Sequence, residues 1–251
     1  IIAQSVYYFY CYFLAEDDNQ PINFSVPTGN FGDVYAGYLA KKLGLPINKL
    51  IVATNQNDIL HRAISKGKYE AEHVSETISP SMDIQIASNF ERLIYDLNNH
   101  DSSQTLDDMK NIKQNGKYTI DDEKLKKINQ DFLSARMSEQ ETLDVIKNIY
   151  EKFNMVLDPH TAIGYGAFDK HDLKGNNIVL ATAHPCKFPD AILKAINLKS
   201  DLPDELKFIL DEKENYGIIE NNLKEIKQYI LGKIKWKLKR GIKFQIQNFT
   251  I

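Results

Sequence analysis

The sequence feature that most constrains the fold is the run Ser-Val-Pro-Thr-Gly-Asn-Phe-Gly-Asp at residues 25–33. Residues 22–26, Ile-Asn-Phe-Ser-Val, are apolar and β-branched enough to predict a buried strand, and residues 34–43 carry apolar side chains at helical spacing. The loop between them contains Gly29 and Gly32, which permit backbone conformations that other residues resist. A strand, a glycine-bearing loop and a helix start therefore follow one another directly, so that several backbone N–H groups can converge on an anion such as phosphate.

This loop matches neither of the two common phosphate-binding motifs. Its glycines lie at 29, 32 and 37, which is not the dinucleotide-binding pattern, and no Gly-Lys-Ser/Thr follows as it would in a Walker loop. The residues alone leave two interpretations open, a phosphate site and a glycine-rich turn that connects strand and helix without a ligand.

Later segments extend the pattern into an α/β fold. Residues 49–54 predict a second buried strand, so the β-α-β order implies a parallel pair of strands. Residues 177–183 predict a further strand, which ends in Thr-Ala-His-Pro. Because ligands of open α/β sheets collect at the carboxyl ends of the strands, we expect the loops 28–33 and 181–186 to share one sheet edge and one cleft.

Capping signals and apolar periodicity predict the helices. Ser138 and Glu141 form a capping box that begins a helix extending to about residue 153, and Pro159 behind Asp158 opens another. The aromatic run at residues 6–15 is too short for a membrane span and lacks the features of a signal peptide. We therefore expect that run to form a buried helix that packs on the sheet.

Four blocks of the chain resemble one known enzyme family. The run at 25–33 continues into Ala-Gly-Tyr-Leu-Ala-Lys-Lys-Leu-Gly-Leu-Pro at 36–46, and three later blocks follow in order: Ala-Thr-Asn-Gln-Asn-Asp at 53–58, Asp-Pro-His-Thr-Ala at 158–162, and Ala-Thr-Ala-His-Pro-Cys-Lys-Phe at 181–188. Together they resemble threonine synthase, a pyridoxal-phosphate enzyme, from residue 1 to about residue 215.

The resemblance implies a fold and a reaction. The fold would be a mainly parallel sheet flanked by helices, part of the tryptophan-synthase-β-like fold, with residues 1–220 as a partial catalytic domain that binds pyridoxal 5'-phosphate. Intact relatives would convert O-phosphohomoserine and water into threonine and phosphate, in threonine biosynthesis.

The resemblance also implies which residues contact the cofactor. The phosphate would lie among five consecutive residues, Gly29, Asn30, Phe31, Gly32 and Asp33, and the Thr182 hydroxyl would meet the pyridine nitrogen. Because a carboxylate repels phosphate, Asp33 is expected to contribute its backbone N–H and to turn its side chain toward the helix N-terminus. A hydroxyl partner does not enforce protonation of the pyridine, which suits elimination and replacement chemistry at the β and γ carbons.

The catalytic lysine of the family has no counterpart among these residues. In threonine synthases it lies in a Phe-Lys-Asp setting upstream of the four blocks, and neither Phe-Asp-Lys at 168–170 nor Cys-Lys-Phe at 186–188 fits that setting. We therefore expect the chain to be a C-terminal part, either a fragment or a truncated gene product, that releases no phosphate from O-phosphohomoserine by itself. The alternative is a non-catalytic remnant that serves as an anion-binding or protein-interaction module.

Three further features carry weaker functional signals. His160 is either a base or, by the more common pattern, a structural hydrogen-bonding residue, and His61 and Arg62 are predicted to be surface or interface residues. The Ser/Thr-rich segment at 76–83 corresponds to a segment close to the active site in the related enzymes.

Charge and composition divide the chain and suggest its compartment. Residues 101–130 are polar and lysine-rich, which predicts an exposed helical insertion, and residues 221–251 form a basic tail with eight Lys/Arg and one Glu. Strict alternation at 233–239 is a strand period, so a basic edge strand or frayed tail is favoured over a nucleic-acid or anionic-membrane contact. Cys11 and Cys186 have neither metal-ligand nor redox spacing, which fits a cytoplasmic protein.

Overall fold

The computed structural model describes residues 1–15 and 20–238, with side chains up to residue 234. The strands in these ranges are β1 (Ile22–Pro27), β2 (Ile47–Thr54), β3 (Lys68–Glu70), β4 (Lys117–Thr119), β5 (Phe132–Arg136) and β6 (Asn176–Val179). The helices are α1 (Ile2–Leu14), α2 (Gly32–Lys42), α3 (Ile59–Lys66), α4 (Phe90–Leu97), α5 (Ser102–Asn115), α6 (Asp122–Asp131), α7 (Glu139–Phe153), α8 (Pro159–Asp169), α9 (Pro189–Ile196) and α10 (Leu223–Leu238).

Four of these strands form a parallel sheet in the order β5-β2-β1-β6. All six residues of β1 are buried, since β1 pairs with β2 on one side and with β6 on the other. Strands β3 and β4 form a separate antiparallel pair. The parallel sheet with flanking helices confirms the predicted α/β fold, and the carboxyl ends of β1, β2 and β6 meet at one edge.

Helix α1 is buried on one face only, so the expectation of a buried helix was wrong for its outer face. The Tyr8 side chain is buried and packs against Phe24, with ring centroids 4.8 Å apart. A Cβ added to Gly37 of α2 would come within 2.4 Å of the Tyr8 ring, so glycine there permits the close approach of the two helices. Tyr10 and Phe13, in contrast, are 64% and 76% exposed, because aromatic residues occur around the whole circumference of α1 while α2 and the sheet cover one side.

The polar segment predicted as an insertion contributes apolar side chains to the core. Three isoleucines are buried within the main core cluster: Ile112 of α5, Ile120 between β4 and α6, and Ile128 of α6. The segment before α6 packs closely on the end of α3, where Ile120 donates its backbone N–H to Gly67 O over 2.8 Å. The lysine-rich faces of α5 and α6 remain exposed, which accounts for their polar composition.

Three secondary-structure predictions needed correction. Strand β5 and the β3–β4 pair were missed, because each is short and lacks a long apolar run. Strand β6 ends at Val179 rather than at 183: Leu180 donates to Ser25 O, but Pro27, the residue of β1 that would donate in return, has no N–H. Residues 233–238 are helical in α10 rather than extended, since a helix satisfies its backbone internally whereas a strand needs a neighbour. Residues 239–251 lie outside the described residues.

The chain divides into two compact units, Ile1–Asp201 and Leu202–Ile251. The first unit contains the sheet, and the second contains α10 and a short 3₁₀ segment, Asp204–Leu210. The predicted boundary between residues 220 and 221 lies inside the second unit. Among the described residues, no helix is both long enough and apolar enough to cross a membrane.

Candidate anion-binding site

A cavity of about 640 Å³ lies at the carboxyl ends of β1 and β6. The loop between β1 and α2 lines it with residues 28–33, and the loop between β6 and α9 lines it with Thr182, Ala183, Lys187 and Phe188. The two loops that the sequence placed on one sheet edge therefore do open on one cleft. This geometry follows from parallel pairing, because β1 and β6 run in the same direction and end side by side.

The β1–α2 loop presents a series of unpaired backbone donors. Thr28 donates its N–H to Ala53 O over 2.8 Å, which fixes the loop to the end of β2. The N–H groups of the next five residues, 29–33, donate to no protein acceptor within the described part of the chain. Five consecutive free N–H groups beside the N-terminus of an 11-residue helix provide a site for an anion.

The Phe31 side chain determines the shape of this loop. Phe31 is the N-cap residue of α2 and has a left-handed backbone, with φ at 64°, which is uncommon for a bulky residue. Its side chain is completely buried and makes an edge contact with Phe90, with ring centroids 5.2 Å apart. Burial of the ring in the core stabilises the strained backbone, so Phe31 contributes its N–H to the cavity and its ring to the core.

Gly29 lies against the segment that forms the opposite wall of the cavity. A Cβ at this position would come within 2.6 Å of the backbone oxygen of Ser81. Ser81 and Met82 belong to a 3₁₀ turn, Pro80–Met82, and both line the cavity. The Ser/Thr-rich segment singled out in the sequence therefore does reach the site.

A hydrogen-bond network centred on Asp83 fixes this wall. Its carboxylate accepts from Asn55 Nδ2 at 2.7 Å, from Asn57 Nδ2 at 2.9 Å, and from the backbone N–H and hydroxyl of Thr77 at 2.8 and 2.7 Å. Asn55 follows directly after β2 and also donates to the Ser79 hydroxyl. The network thus connects the end of β2 to the segment that packs on Gly29, and it explains the block of polar residues at 53–58.

Asp33 lies in the first turn of α2 and lines the cavity. Tyr8 donates its hydroxyl to the Asp33 backbone oxygen at 2.8 Å and lies 3.4 Å from Oδ1. Burial raises the pKa of the Asp33 carboxyl, an effect that exceeds the opposing hydrogen bond from Tyr8.

Thr182 lies on the other side of the cavity, in the loop that follows β6. Its hydroxyl has no hydrogen-bond partner within the described part of the chain, and the residue is exposed. A free hydroxyl at the cavity wall is available to a ligand atom. All six residues that the resemblance implicated, Gly29, Asn30, Phe31, Gly32, Asp33 and Thr182, therefore line the same cavity.

Two cations line the cavity that sequence reasoning had not assigned to it. Arg92 of α4 and Lys187 both face the cleft, and neither makes an ion pair within the described residues. Arg92 donates from Nε to Asn89 Oδ1 at 3.1 Å, and Asn89 Nδ2 in turn donates to Asn30 O. The helical periodicity of α4 gave no signal for Arg92, while Lys187 had been considered only as a covalent attachment point.

Of the remaining candidates, His61 and Arg62 lie elsewhere and His160 lies at the cavity. His61 contacts Ser134 through Nδ1 at 3.0 Å, and Arg62 pairs with Asp58 at 2.8 Å and with Glu72 at 3.2 Å, outside the cavity. His160, by contrast, is buried and lines the cavity. Both cysteines are free, and no group of three or more His, Cys, Asp or Glu side chains suited to a metal occurs among the described residues.

Comparison with known proteins gives consistent similarities. The family model described as threonine synthase, C-terminal, matches residues 161–230. Threonine synthase from Pseudomonas aeruginosa is 39% identical over 233 residues, which cover 92% of this chain and 50% of that protein. Threonine synthase from Saccharomyces cerevisiae is 43% identical and covers 88% of this chain and 48% of that protein.

A solved structure has a similar fold. The crystal structure of threonine synthase from Brucella melitensis with bound pyridoxal phosphate matches with a TM-score of 0.84 and 42% identity, over 91% of this chain and 50% of that one. The chain spans about half the length of the relatives that it matches.

Proposed function

This chain is homologous to about half of threonine synthase, and from that premise we propose that it supplies the cofactor-phosphate side of an active site that converts O-phosphohomoserine and water into threonine and phosphate. We infer further that pyridoxal phosphate is its cofactor and that it acts in the cytoplasm. The small-molecule substrate would enter the cleft between the β1–α2 loop and the β6–α9 loop.

The observation that carries this proposal is the group of five free N–H donors at residues 29–33. A phosphate ester has the charge and the acceptor atoms to satisfy them, and the N-terminal end of the α2 dipole adds favourable electrostatics. A cavity of about 640 Å³ is of the size that small-molecule cofactor sites usually have. The donors, the charge preference and the space therefore fit a phosphorylated cofactor.

The other residues of the cavity have distinct roles in this proposal. Pyridoxal phosphate, when bound, supplies an electron sink that stabilises negative charge on substrate carbon atoms. Thr182 would contact the pyridine nitrogen through a neutral hydroxyl, so that no carboxylate forces a proton onto the ring. The segment at Ser81 and Met82 would close the side of the cleft next to Gly29 and exclude water from the phosphate.

Arg92 and Lys187 would supply positive charge to the same cleft. The cofactor phosphate and the substrate phosphate are both anions, and Asp33, whose pKa is raised by burial, is the one carboxylate that the described residues place on the wall of the cleft. Unpaired cations in a concave site raise the local concentration of anionic ligands. Affinity for phosphorylated ligands should accordingly fall as the salt concentration rises.

Binding of pyridoxine 5'-phosphate to the 251-residue chain tests the proposal. This probe lacks the aldehyde of pyridoxal phosphate and so cannot react with surface lysines. Because hydrogen bonds to charged groups each contribute about 1.5–3 kcal/mol, pyridoxine 5'-phosphate should bind at least about tenfold more tightly than pyridoxine in equilibrium dialysis. Equal affinity for the two compounds would remove the basis of the proposal.

Two leucine substitutions give a matched comparison. Gly32→Leu places a side chain at the cavity wall near Asn89, so it should abolish binding of pyridoxine 5'-phosphate. Gly232→Leu in α10 meets no atom within 4 Å of its Cβ and should bind as the unmodified chain does. If both variants retain full binding, the ligand occupies a different place.

A further inference from the structure

The cavity wall contains a histidine, His160, with two different ring nitrogens. Within the described chain, Nδ1 has a hydrogen-bond partner and Nε2 has none. His160 is the second residue of α8 and is 4% exposed. Asp158, the N-cap residue of that helix, accepts from the His160 backbone N–H at 2.9 Å and contacts Nδ1 at 3.1 Å. A carboxylate can only accept hydrogen bonds, so Nδ1 carries the hydrogen and Nε2 is the nitrogen left for another partner.

Asp158 is well suited to fix this tautomer. Burial by itself would raise its pKa, but hydrogen bonds from the His160 and Thr161 side chains and from the His160 N–H hold the Asp158 pKa below its ordinary value. The Thr161 hydroxyl donates to Oδ2 in a short hydrogen bond. The carboxylate is therefore ionised near neutral pH, and its lone pairs are directed at α8 and at the imidazole.

The Phe188 ring packs against the imidazole. The two ring centroids lie 4.8 Å apart, with an angle of 51° between the planes. Phe188 belongs to the β6–α9 loop that also carries Thr182 and Lys187, and it lines the same cavity. His160 thus lies where α8 begins and where that loop packs, in contact with the space that a ligand would fill.

Nε2 of His160 has no hydrogen-bond partner in the described chain, although it is buried. An unsatisfied buried polar atom costs about 1–3 kcal/mol, and buried polar groups in proteins are nearly always paired. An atom of this kind beside a cavity of about 640 Å³ indicates that a ligand completes its hydrogen bonding. The sequence alone had favoured a purely structural histidine here, which accounts for Nδ1 but not for Nε2.

We propose that Nε2 of His160 forms a hydrogen bond with an oxygen-bearing substituent of the pyridine ring bound in the cavity, and that Asp158 positions the imidazole for this contact. With its hydrogen on Nδ1, the ring can accept a hydrogen bond at Nε2 from a hydroxyl of the ligand. The inference rests on the proposed function in one respect, that the ligand is a phosphorylated pyridine derivative held by the β1–α2 loop.

Nitrogen NMR of the imidazole tests the contact directly. In the 251-residue chain with ¹⁵N-labelled histidine, the His160 Nδ1 should show the shift of a protonated nitrogen and Nε2 that of an unprotonated one. Saturation with pyridoxine 5'-phosphate should move the Nε2 resonance, whereas inorganic phosphate, which has no ring, should leave it in place. An Nε2 resonance that stays unchanged at saturation would overturn the inference.

Matched variants separate this inference from the function on which it rests. His160→Phe keeps an aromatic ring beside Phe188 and removes both nitrogens, so the Kd for pyridoxine 5'-phosphate should rise about tenfold. His73→Phe, at an exposed histidine outside the cavity, should leave the Kd unchanged. Asp158→Asn retains a capping oxygen but not the charge, and it should shift the Nδ1 resonance of His160.

The outcomes distinguish two kinds of failure. If the unmodified chain binds pyridoxine 5'-phosphate no better than pyridoxine, the proposed function is wrong. If it binds the phosphorylated compound while His160→Phe binds equally well and Nε2 does not respond, the cofactor site stands and only the role of His160 is wrong. Thermal melting of each variant establishes that it is folded.

Discussion

Two glycines in the β1–α2 loop have different physical reasons to be glycine. Gly29 faces the backbone oxygen of Ser81, to which an added Cβ would approach within 2.6 Å. An added Cβ at Gly32 would have Asn89 Nδ2 at 3.3 Å and its other neighbours at 3.7 Å or more. Steric packing therefore requires glycine at 29, whereas at 32 the absence of a side chain leaves space in the cavity.

We expect this difference to appear in stability. Gly29→Ala should lower the free energy of unfolding by about 1–3 kcal/mol, because the Ser81 backbone cannot move away as a flexible side chain would. Gly32→Ala should change it by less than about 1 kcal/mol, since the first turn of a helix accepts alanine. Urea unfolding of both variants measures the two values, and equal destabilisation would contradict this account of the loop.

At the scale of elements, local signals predicted more than long-range ones could. The capping box at Ser138 and Glu141 was predicted from its spacing, and both of its hydrogen bonds are present at the start of α7. The left-handed Phe31 and the approach of Arg92 to the cavity could not be predicted, because they depend on packing between α2 and α4, which are far apart in sequence. The two loops at the cavity could be predicted from the sequence, because the direction of parallel strands determines which loops meet at one sheet edge.

The capping box also provides a test by pH. Lys170, 2.7 Å from Glu141, and the hydrogen bonds from Ser138 lower the pKa of the Glu141 carboxyl to about 2. A lowered pKa in the folded state means that the charged form stabilises the protein above the ordinary value of 4.5, and that this stabilisation disappears as the pH falls toward about 2.

Glu141→Gln keeps a hydrogen-bond acceptor and removes the charge. It should be less stable than the unmodified chain at pH 7, by under about 1 kcal/mol because the pair is partly exposed and screened by solvent. The difference should shrink when urea unfolding is repeated near pH 3. A difference that grows as the pH falls would show that the ion pair is not its source.

At the scale of the whole molecule, the fold that holds the site lies in the first compact unit. Residues 1–201 contain the sheet, the cavity and the core, whereas the described side chains of α10 are largely exposed. The lopsided charge of the sequence follows a different division, since the basic residues cluster after residue 221, inside the second unit, whereas residues 202–220 carry six Asp/Glu and two Lys. The sequence could indicate this charge asymmetry but not the structure of the tail. An alternating pattern of charged and apolar residues predicts a strand only where a neighbouring strand can pair with it.

Removal of the tail should therefore have little effect on folding. Truncation after Leu231 deletes the last part of α10, where Gly232 and Lys233 are exposed, and residues outside the described ranges, so the melting temperature should change by no more than about 2 °C. Differential scanning calorimetry of the full and truncated chains makes the comparison. A fall of about 8 °C or more would show that residues 232–251 contribute to the core.

The central claim is that the free N–H groups of residues 29–33 bind a phosphate ester. Backbone amide NMR of the 251-residue chain during titration with pyridoxine 5'-phosphate measures this most directly. We predict that the Gly29, Asn30, Gly32 and Asp33 amide protons move downfield together, with one shared Kd, while the Thr28 amide, already bonded to Ala53, moves much less. Saturation of the chain with the ligand while these amides keep their free positions would contradict the account.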